Sequence, residues 1–342
     1  MTSPGSVTFG LLLPSRELAM YPPHDGDPRR LVRWAVRAEE LGFDAVWIGD
    51  SLLAKPRAEP LSVLAGVATA TERIDVGTAV LLASMRNAAQ LAQQAATVDA
   101  LSGGRLILGV GAGPPGAEVN ADFDLVGADY HRRGTRMMET VHHARELWRA
   151  DGVPTEQRLQ PVCVSEGGPR LWLGGSGPRG LERAGQHFDG WFPTAPAVDA
   201  FADQLATVRS HAAGAGRDPA SITVAAYLTV NIGEPETAAA EVAEHSKLYY
   251  GVEIEVLRRV MGTYSGTPAE VAAWLQSYID AGCEHICIRL ASPDVDTQLD
   301  RLVDLLPELR QQRNHALRPE RLRSDSAESA QSALGLGLRS QP

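Results

Sequence analysis

The sequence is poor in cysteine and contains no long apolar run. Its 342 residues include three cysteines, Cys163, Cys283 and Cys287, and no C-x-x-C pair. This pattern argues against a disulfide framework and a structural zinc site, and it fits a reducing cytoplasm. The N-terminal segment has no basic stretch before its short apolar run, so the sequence predicts neither a signal peptide nor a membrane span.

Positive charge is also scarce relative to negative charge. Lysine and arginine number 32 against 42 aspartate and glutamate residues, which gives a formal net charge of −10. Because sequence-independent binding to a polyanion needs a positive field, this balance argues against a nucleic-acid partner. The remaining composition, with 44% hydrophobic and 22% charged residues, is typical of a globular chain with a large core.

Short apolar segments of strand length alternate with longer segments of helical period. Eight of these segments are predicted to be strands: 7–14, 44–50, 74–82, 105–113, 170–177, 189–193, 221–230 and 284–290. Continuous apolar strands that alternate with helices indicate parallel pairing. The sequence therefore predicts an α/β fold, a single-domain (β/α)8 TIM barrel over residues 1–310, followed by a disordered polar tail over 311–342.

Two irregular stretches, 114–132 and 151–169, are too long for ordinary connections and are predicted to be insertion loops at the C-terminal mouth. Helix boundaries between the strands are marked by local signals. Pro28 follows the cap residue Asp27, Asn87 precedes an alanine-rich helix, and Thr267 with Glu270 forms a capping box.

In such a barrel, functional groups lie on the loops that follow the strands. The second strand ends in Asp50 and Ser51, and Asp50 is either a site carboxylate or a helix cap. The fourth strand ends in Gly109, Gly111 and Gly113, which we interpret as backbone left open to a flat ligand.

The fifth strand continues into a second glycine-rich segment, Gly174, Gly175, Ser176 and Gly177, and Pro178 then starts a helix. Successive N–H groups and the helix N-terminus favour an anion, so this loop predicts a phosphate site. The alternative is an ordinary tight turn.

Other chemistry-bearing residues are interpreted as structural. His142 and His143 fall inside an amphipathic helix and His187 at a helix end, whereas Cys283 and Cys287 flank or enter a buried strand as small apolar residues. No residue set typical of a metal site or a catalytic triad emerges.

Five segments, in this order, resemble the bacterial luciferase-like family of flavin-dependent oxidoreductases: "GFDAVWIGDSL", "IDVGTAVLLASMRNAAQLAQQAATVDALSGGRLILGVGAG", "YHRRGTRMMETV", "RLWLGGSGPRGLERAGQHFDGWFP" and "GTPAEVAAWLQSYIDAGCEHICI". The resemblance covers most of 7–309. It implies a (β/α)8 barrel that binds FMN or the deazaflavin coenzyme F-420 (F420) at its C-terminal mouth. It also implies monooxygenation or hydride transfer on a small organic substrate, a homodimer and, for a two-component monooxygenase, a separate flavin reductase.

The resemblance also implies roles for particular residues. The flavin ring would lie against Thr78, Ala79 and Val80, where the family often has a non-prolyl cis peptide, with Asp50 beside the ring. The second wall and the phosphate loop would comprise Gly109, Val110, Gly111, Gly174, Gly175, Ser176 and Gly177.

The sequence departs from the family at two positions. Ser51 replaces a histidine that several members use as general acid or base, and a hydroxyl does not titrate near neutrality, so that role is unfilled or moved. Asp50 and Ser51 remain the catalytic candidates.

The second departure is Ala112, where luciferase proper has an arginine near the cofactor phosphate, which leaves Arg179 or backbone amides to hold that phosphate. This absence argues against light emission and slightly favours F420 over FMN. A non-catalytic barrel that binds flavin or a phosphate ligand is the contrasting hypothesis.

Alanine-rich faces on the second and third helices predict where a homodimer would form. The residues concerned are Ala65, Ala68, Ala88, Ala92 and Ala95.

Overall fold

The computed structural model describes residues 7–149 and 151–310, and the predicted polar tail over 311–342 lies outside the described residues. Within these residues, ten strands form one sheet. They are β1 (Thr8–Leu12), β2 (Ala45–Ile48), β3 (Asp75–Thr78), β4 (Leu81–Leu82), β5 (Leu106–Gly111), β6 (Arg170–Leu173), β7 (Gly190–Trp191), β8 (Thr223–Ile232), β9 (Thr263–Gly266) and β10 (His285–Leu290).

Eight of these strands close a parallel barrel. The order around it is β10, β1, β2, β3, β5, β6, β7 and β8, and β8 pairs with β10 to complete the ring. The short strands β4 and β9 add to β5 and β8. The predicted (β/α)8 barrel is confirmed.

The helices are interspersed with these strands in sequence, and α12 follows the last strand. They are α1 (Glu17–Met20), α2 (Pro28–Glu40), α3 (Pro60–Ala70), α4 (Ala88–Ser102), α5 (Ala117–Leu125), α6 (Arg133–Arg149), α7 (Pro178–His187), α8 (Val198–Gly214), α9 (Pro235–Tyr250), α10 (Ile254–Leu257), α11 (Pro268–Asp280) and α12 (Val295–Val303). Among the helices described here, none is long and apolar enough to cross a membrane.

The predicted helix caps form as expected. The Asp27 carboxylate accepts a hydrogen bond from the Arg29 backbone, and Asn87 caps α4 through its side-chain oxygen. Thr267 and Glu270 form both bonds of the capping box at the start of α11. Each cap satisfies N–H groups that the first helical turn leaves without partners.

A cluster of rings, which we call the aromatic plug, fills the barrel below its mouth. It consists of Trp47, Trp172, Phe192 and His285, with ring centroids 4.8–5.7 Å apart. The Trp47 indole donates to His285 Nε2 at 3.0 Å. Burial lowers the pKa of His285 to about 3, so this ring is a neutral acceptor within the core.

Two elements differ from the sequence-based expectation. The predicted strand 74–82 is divided, because β3 ends at Thr78 and β4 begins at Leu81. The stretch 114–132 was expected to be irregular but contains α5, which buries Asp122 and Phe123.

The alanines proposed for a dimer face are partly used inside the chain. Ala68, Ala92 and Ala95 are at most 2% exposed, because α3 and α4 pack on their neighbours. The Ala92 carbonyl also accepts a bond from the Trp148 indole. These three residues therefore offer no surface to a second copy, and the assignment of the dimer to this face was wrong for them.

Candidate active site at the barrel mouth

The junction between β3 and β4 forms one side of the mouth. The peptide bond between Ala79 and Val80 is cis and non-prolyl, at the position where the family resemblance implies one. The Ala79 N–H donates to the Ile48 carbonyl at 2.8 Å, and the Thr78 hydroxyl donates to the Gly109 carbonyl at 2.7 Å. Ala79 and Val80 remain half-buried, so a ligand in the mouth can contact them.

Val80 packs into a space left by glycines on the two following strands. A Cβ at Gly111 would lie 2.6 Å from Val80 Cγ2, and a Cβ at Gly174 would lie 2.9 Å from Val80 Cγ1. A Cβ at Gly109 would fall 2.1 Å from the Thr78 carbonyl oxygen. Gly109 and Gly111 therefore accommodate the β3–β4 junction, which itself faces the mouth, and their contact with a ligand stays a prediction.

The loop 174–177 connects β6 to α7. The Gly174 N–H is bonded to the Val110 carbonyl at 2.9 Å, and the Gly175 carbonyl accepts from the Trp191 indole at 3.0 Å. In contrast, the N–H groups of 175–177 and the Ser176 hydroxyl have no hydrogen-bond partner among the residues described.

These free donors stand at the N-terminus of the ten-residue helix α7, where a Cβ at Gly177 would meet nothing within 4 Å. Such an arrangement fits a cofactor phosphate. We call the loop 174–177 the phosphate loop. Arg179, the other candidate for this role, is exposed.

Asp50 lies at the end of β2 with its side chain 4% exposed. Its Oδ2 accepts from the Leu82 N–H at 2.9 Å and lies 3.0 Å from Arg86 Nη2. Burial raises the pKa of Asp50, and the nearby Arg86 opposes that rise. The Asp50 carboxylate does not cap the following helix α3, because Glu59 does so. The Asp50 Oδ1 atom accepts no hydrogen bond from the described residues.

Ser51 holds the loop that follows β2. Its Oγ accepts from the Lys55 N–H at 2.9 Å and lies 3.4 Å from Asp122 Oδ2. The buried Asp122 of α5 also accepts from the Leu53 and Ala54 N–H groups. The hydroxyl is thus engaged in loop structure, and a catalytic role for Ser51 stays a prediction.

Sequence reasoning missed a group of cations on the other side of the mouth. Arg289 of β10 is 3% exposed and donates to the Tyr249 hydroxyl at 2.7 Å and to the Tyr250 hydroxyl. Arg16 and Lys55 lie near the same rings. The sequence did contain one signal: "HICIRL" places an arginine in an otherwise apolar strand, where a buried charge requires a reason.

Known proteins resemble this chain in both sequence and fold. The family model described as luciferase-like monooxygenase matches residues 7–285. The F420-dependent glucose-6-phosphate dehydrogenase of Amycolatopsis mediterranei (strain U-32) is 28% identical over 329 residues, covering 83% of this chain and 95% of that protein. The 5,10-methylenetetrahydromethanopterin reductase of Methanolobus tindarius is 30% identical over 220 residues, covering 63% and 65%.

Solved structures share the fold at lower identity. An F420-dependent secondary alcohol dehydrogenase, in complex with an F420-acetone adduct, has a TM-score of 0.75 at 21% identity and covers 89% of this chain and 99% of its own. A long-chain alkane monooxygenase has a TM-score of 0.70 at 15% identity, covering 91% and 92%.

The closed barrel, the divided third strand and the loop 174–177 are the features on which the comparison rests. The chain belongs to the luciferase-like monooxygenase family. Its identification as an oxidoreductase that depends on F420 or a flavin is confirmed at that level.

Proposed function

We propose that this protein uses F420 to transfer a hydride to or from a small organic substrate at the barrel mouth. The observation that carries the proposal is the continuous surface formed by the β3–β4 junction and the phosphate loop. Gly174 joins the two parts, because Val80 of the junction packs against it and its N–H donates to the Val110 carbonyl of β5. The F420-dependent relatives favour F420 over FMN.

The chain's own residues supply a site of suitable shape and polarity. Ala79 and Val80 would support a flat ring, and the free N–H groups of the phosphate loop would hold a phosphate. The aromatic plug closes the barrel beneath and excludes water from that side. When bound, F420 supplies a ring that accepts or gives a hydride, so the protein contributes orientation, a dry environment and charge.

Asp50 is our candidate for the residue that donates or accepts a proton. Its Oδ2 is held by Leu82 and Arg86, which leaves Oδ1 as the atom that can reach a ligand. Burial raises the carboxyl pKa, and a raised pKa brings a carboxyl closer to the range in which it can exchange a proton near neutral pH. We assign the acid/base function to Asp50, since Ser51 is occupied by loop contacts.

Cofactor titration tests the proposal directly. Purified protein should bind F420 stoichiometrically, with a spectral change and a rise in melting temperature, because the ligand binds only the folded state. FMN should bind more weakly, and reduced cofactor should not cause oxygen consumption. Tight FMN binding with oxygen uptake would instead indicate a monooxygenase that works with a flavin reductase. Binding without turnover of any substrate would support a non-catalytic barrel.

The phosphate loop has its own test. Removal of the Ser176 hydroxyl by Ser176→Ala should weaken F420 binding about tenfold, because hydrogen bonds to charged groups contribute about 1.5–3 kcal/mol. Ser210→Ala, on the exposed face of α8, is the matched control and should leave the affinity unchanged. Equal losses for F420 and for an analogue without its phosphate would show that the loop is only a turn.

A cytoplasmic location and a homodimer complete the proposal. The first is supported by the cysteine content of the sequence, and the second by the family resemblance alone.

A further inference from the structure

Four cationic side chains converge on one tyrosine across the mouth from the phosphate loop. The Tyr249 ring centroid lies 3.9 Å from the Arg289 guanidinium, 4.5 Å from that of Arg16, and 5.7 Å from both Lys55 Nζ and the Arg57 guanidinium. We call these five residues the arginine–tyrosine cluster.

The cluster draws on separate parts of the chain. It is built from the segment after β1, the loop after β2, the end of α9, and β10. In the barrel order, β10, β1 and β2 are adjacent, whereas the phosphate loop follows β6 on the opposite side.

Negative charge in this region does not match the positive charge. Glu17, 5% exposed, places Oε1 3.6 Å from Arg289 Nε and is the carboxylate in direct contact with the cluster. Asp50 and Glu59 both pair with Arg86, outside the cluster. Buried charges are costly unless they are paired, so the cluster carries positive charge that an anion would compensate.

Two buried donors, one in the cluster and one beside it, are also unused. Within the described part of the chain, Arg16 Nη1 and the Tyr227 hydroxyl have no hydrogen-bond partner. Arg289 Nε and Glu17 Oε1, in contrast, face each other as an ion pair at 3.6 Å, beyond hydrogen-bond distance. Tyr227 lies on β8, and the centroid of its ring is 5.1 Å from the Arg289 guanidinium. A donor set of this kind is suited to oxygen atoms that carry negative charge.

The members of the cluster differ in their freedom to reach a ligand. The two Nη atoms of Arg289 donate to the hydroxyls of Tyr249 and Tyr250, so this guanidinium is a fixed charge at the buried end of the cluster. Arg16 and Lys55 are only partly buried, and Lys55 Nζ lies 4.3 Å above the Tyr250 ring. Arg57 lies directly against Gly49, between the cluster and the end of β2.

We propose that the arginine–tyrosine cluster is an oxyanion subsite, and that the substrate carries a carboxylate or phosphate group held by Arg16, Lys55 and Arg57 above Arg289. The assignment to a substrate rests on the proposed function, whereas the anion site itself does not. Burial and the surrounding arginines also lower the pKa of Lys55 to about 8, and the negative charge of Glu118 opposes this shift without cancelling it.

Calorimetric titration of the full-length protein, without cofactor, tests the subsite. The probes are inorganic phosphate and acetate, with sodium chloride at equal ionic strength as the reference. One of the two anions should bind saturably, and which of them binds more tightly identifies the group on the substrate. Absence of saturable binding in the wild-type protein would overturn the proposal.

Variants locate the binding. Arg16→Gln and Lys55→Gln should each weaken it at least tenfold. Arg37→Gln removes the same charge from a half-exposed surface arginine paired with Asp296 and Asp300 and should have no such effect. Ser176→Ala should also retain binding at the cluster. Loss in Ser176→Ala alone, or equal loss in Arg37→Gln, would contradict the proposal.

F420 titration of the same variants separates the two proposals. Arg16→Gln should keep its F420 affinity within about twofold, because the phosphate loop is intact. If F420 binding falls in parallel and phosphate competes with F420, the cluster serves the cofactor and the substrate assignment is wrong. Anion binding at the cluster without F420 binding supports the subsite and overturns only the proposed function.

Discussion

The two sides of the barrel mouth differ in the groups they present, backbone on one side and charged side chains on the other. The side formed by β3, β5 and β6 presents backbone, with a cis peptide, close glycine contacts and free N–H groups. The side formed by β10, β1 and the loop after β2 presents long charged side chains stacked on tyrosines. We call these the glycine side and the arginine side.

The difference separates what a cofactor requires from what a substrate requires. A flat ring with a phosphate can be held by backbone shape and N–H groups, which tolerate change in most side chains. An individual substrate is distinguished by the placement of side-chain charges, and a few substitutions alter that placement. On the proposed function, the glycine side would hold the cofactor and the arginine side would hold the substrate.

The largest expected effect on the glycine side comes from one added methyl group, at Gly109. Gly109→Ala places a Cβ 2.1 Å from the Thr78 carbonyl oxygen, which is backbone and cannot rotate away. The free energy of unfolding should fall by about 3 kcal/mol, and F420 binding should be lost with the junction. Chemical denaturation measures the first effect.

Gly177→Ala is the matched control for this change. The added Cβ would have no neighbour within 4 Å, so stability should change by less than about 1 kcal/mol. Similar losses in both variants would show that the close contact at Gly109 does not determine the shape of the glycine side.

Asp50 lies between the two sides, and its charge can be removed without a change in shape. Asp50→Asn should lower kcat by about 100-fold if the carboxylate exchanges a proton, with F420 affinity nearly unchanged. Steady-state kinetics and cofactor titration give the two values. Glu59→Gln removes the other partner of Arg86 and should change kcat by less than about threefold. Equal activity in Asp50→Asn and wild type would leave Asp50 with a structural role.

The smallest expected effect concerns stability on the arginine side. The pKa of Lys55 is lowered to about 8, so its charged form is disfavoured in the folded protein. The resulting penalty is complete below pH 8 and disappears as pH approaches the ordinary lysine value. Lys55→Met should raise the unfolding free energy by about 2 kcal/mol at pH 7 and by little near pH 10.5.

Lys247 is the chain's other lysine and provides the control. It is exposed and pairs with Glu253, so Lys247→Met should show no comparable gain. A Lys55→Met gain that does not vary with pH would attribute the stabilisation to packing rather than to charge.

The sequence was sufficient for the fold because the signals were local and repeated. Seven of the eight barrel strands fall within predicted segments, and β8 extends two residues beyond its own. Caps such as Asn87 lie where the residue types indicate. The predicted glycine-side positions also come together, since residues at strand ends must meet at one edge. What the glycines accommodate could not be predicted, because the absence of a side chain does not say which neighbour fills the space.

The arginine side was missed for a different reason. Arg16, Lys55, Tyr249 and Arg289 come from distant segments and form no motif, so only the closed barrel brings them together. Ser51 shows the same limit: its position at a strand end suggested chemistry, but Asp122, 71 positions away, determines what its hydroxyl contacts.

The aromatic plug has a kinetic consequence for the site. Trp47, Trp172 and Phe192 shut the barrel beneath Val80, so a molecule against that residue can arrive and depart only through the open end. If the cofactor lies against Val80, as proposed, a substrate bound above it would block that route. We therefore expect an ordered sequence in which the cofactor binds first and leaves last. In steady-state kinetics, an inhibitor that resembles the first ligand should then compete with that ligand and not with the second.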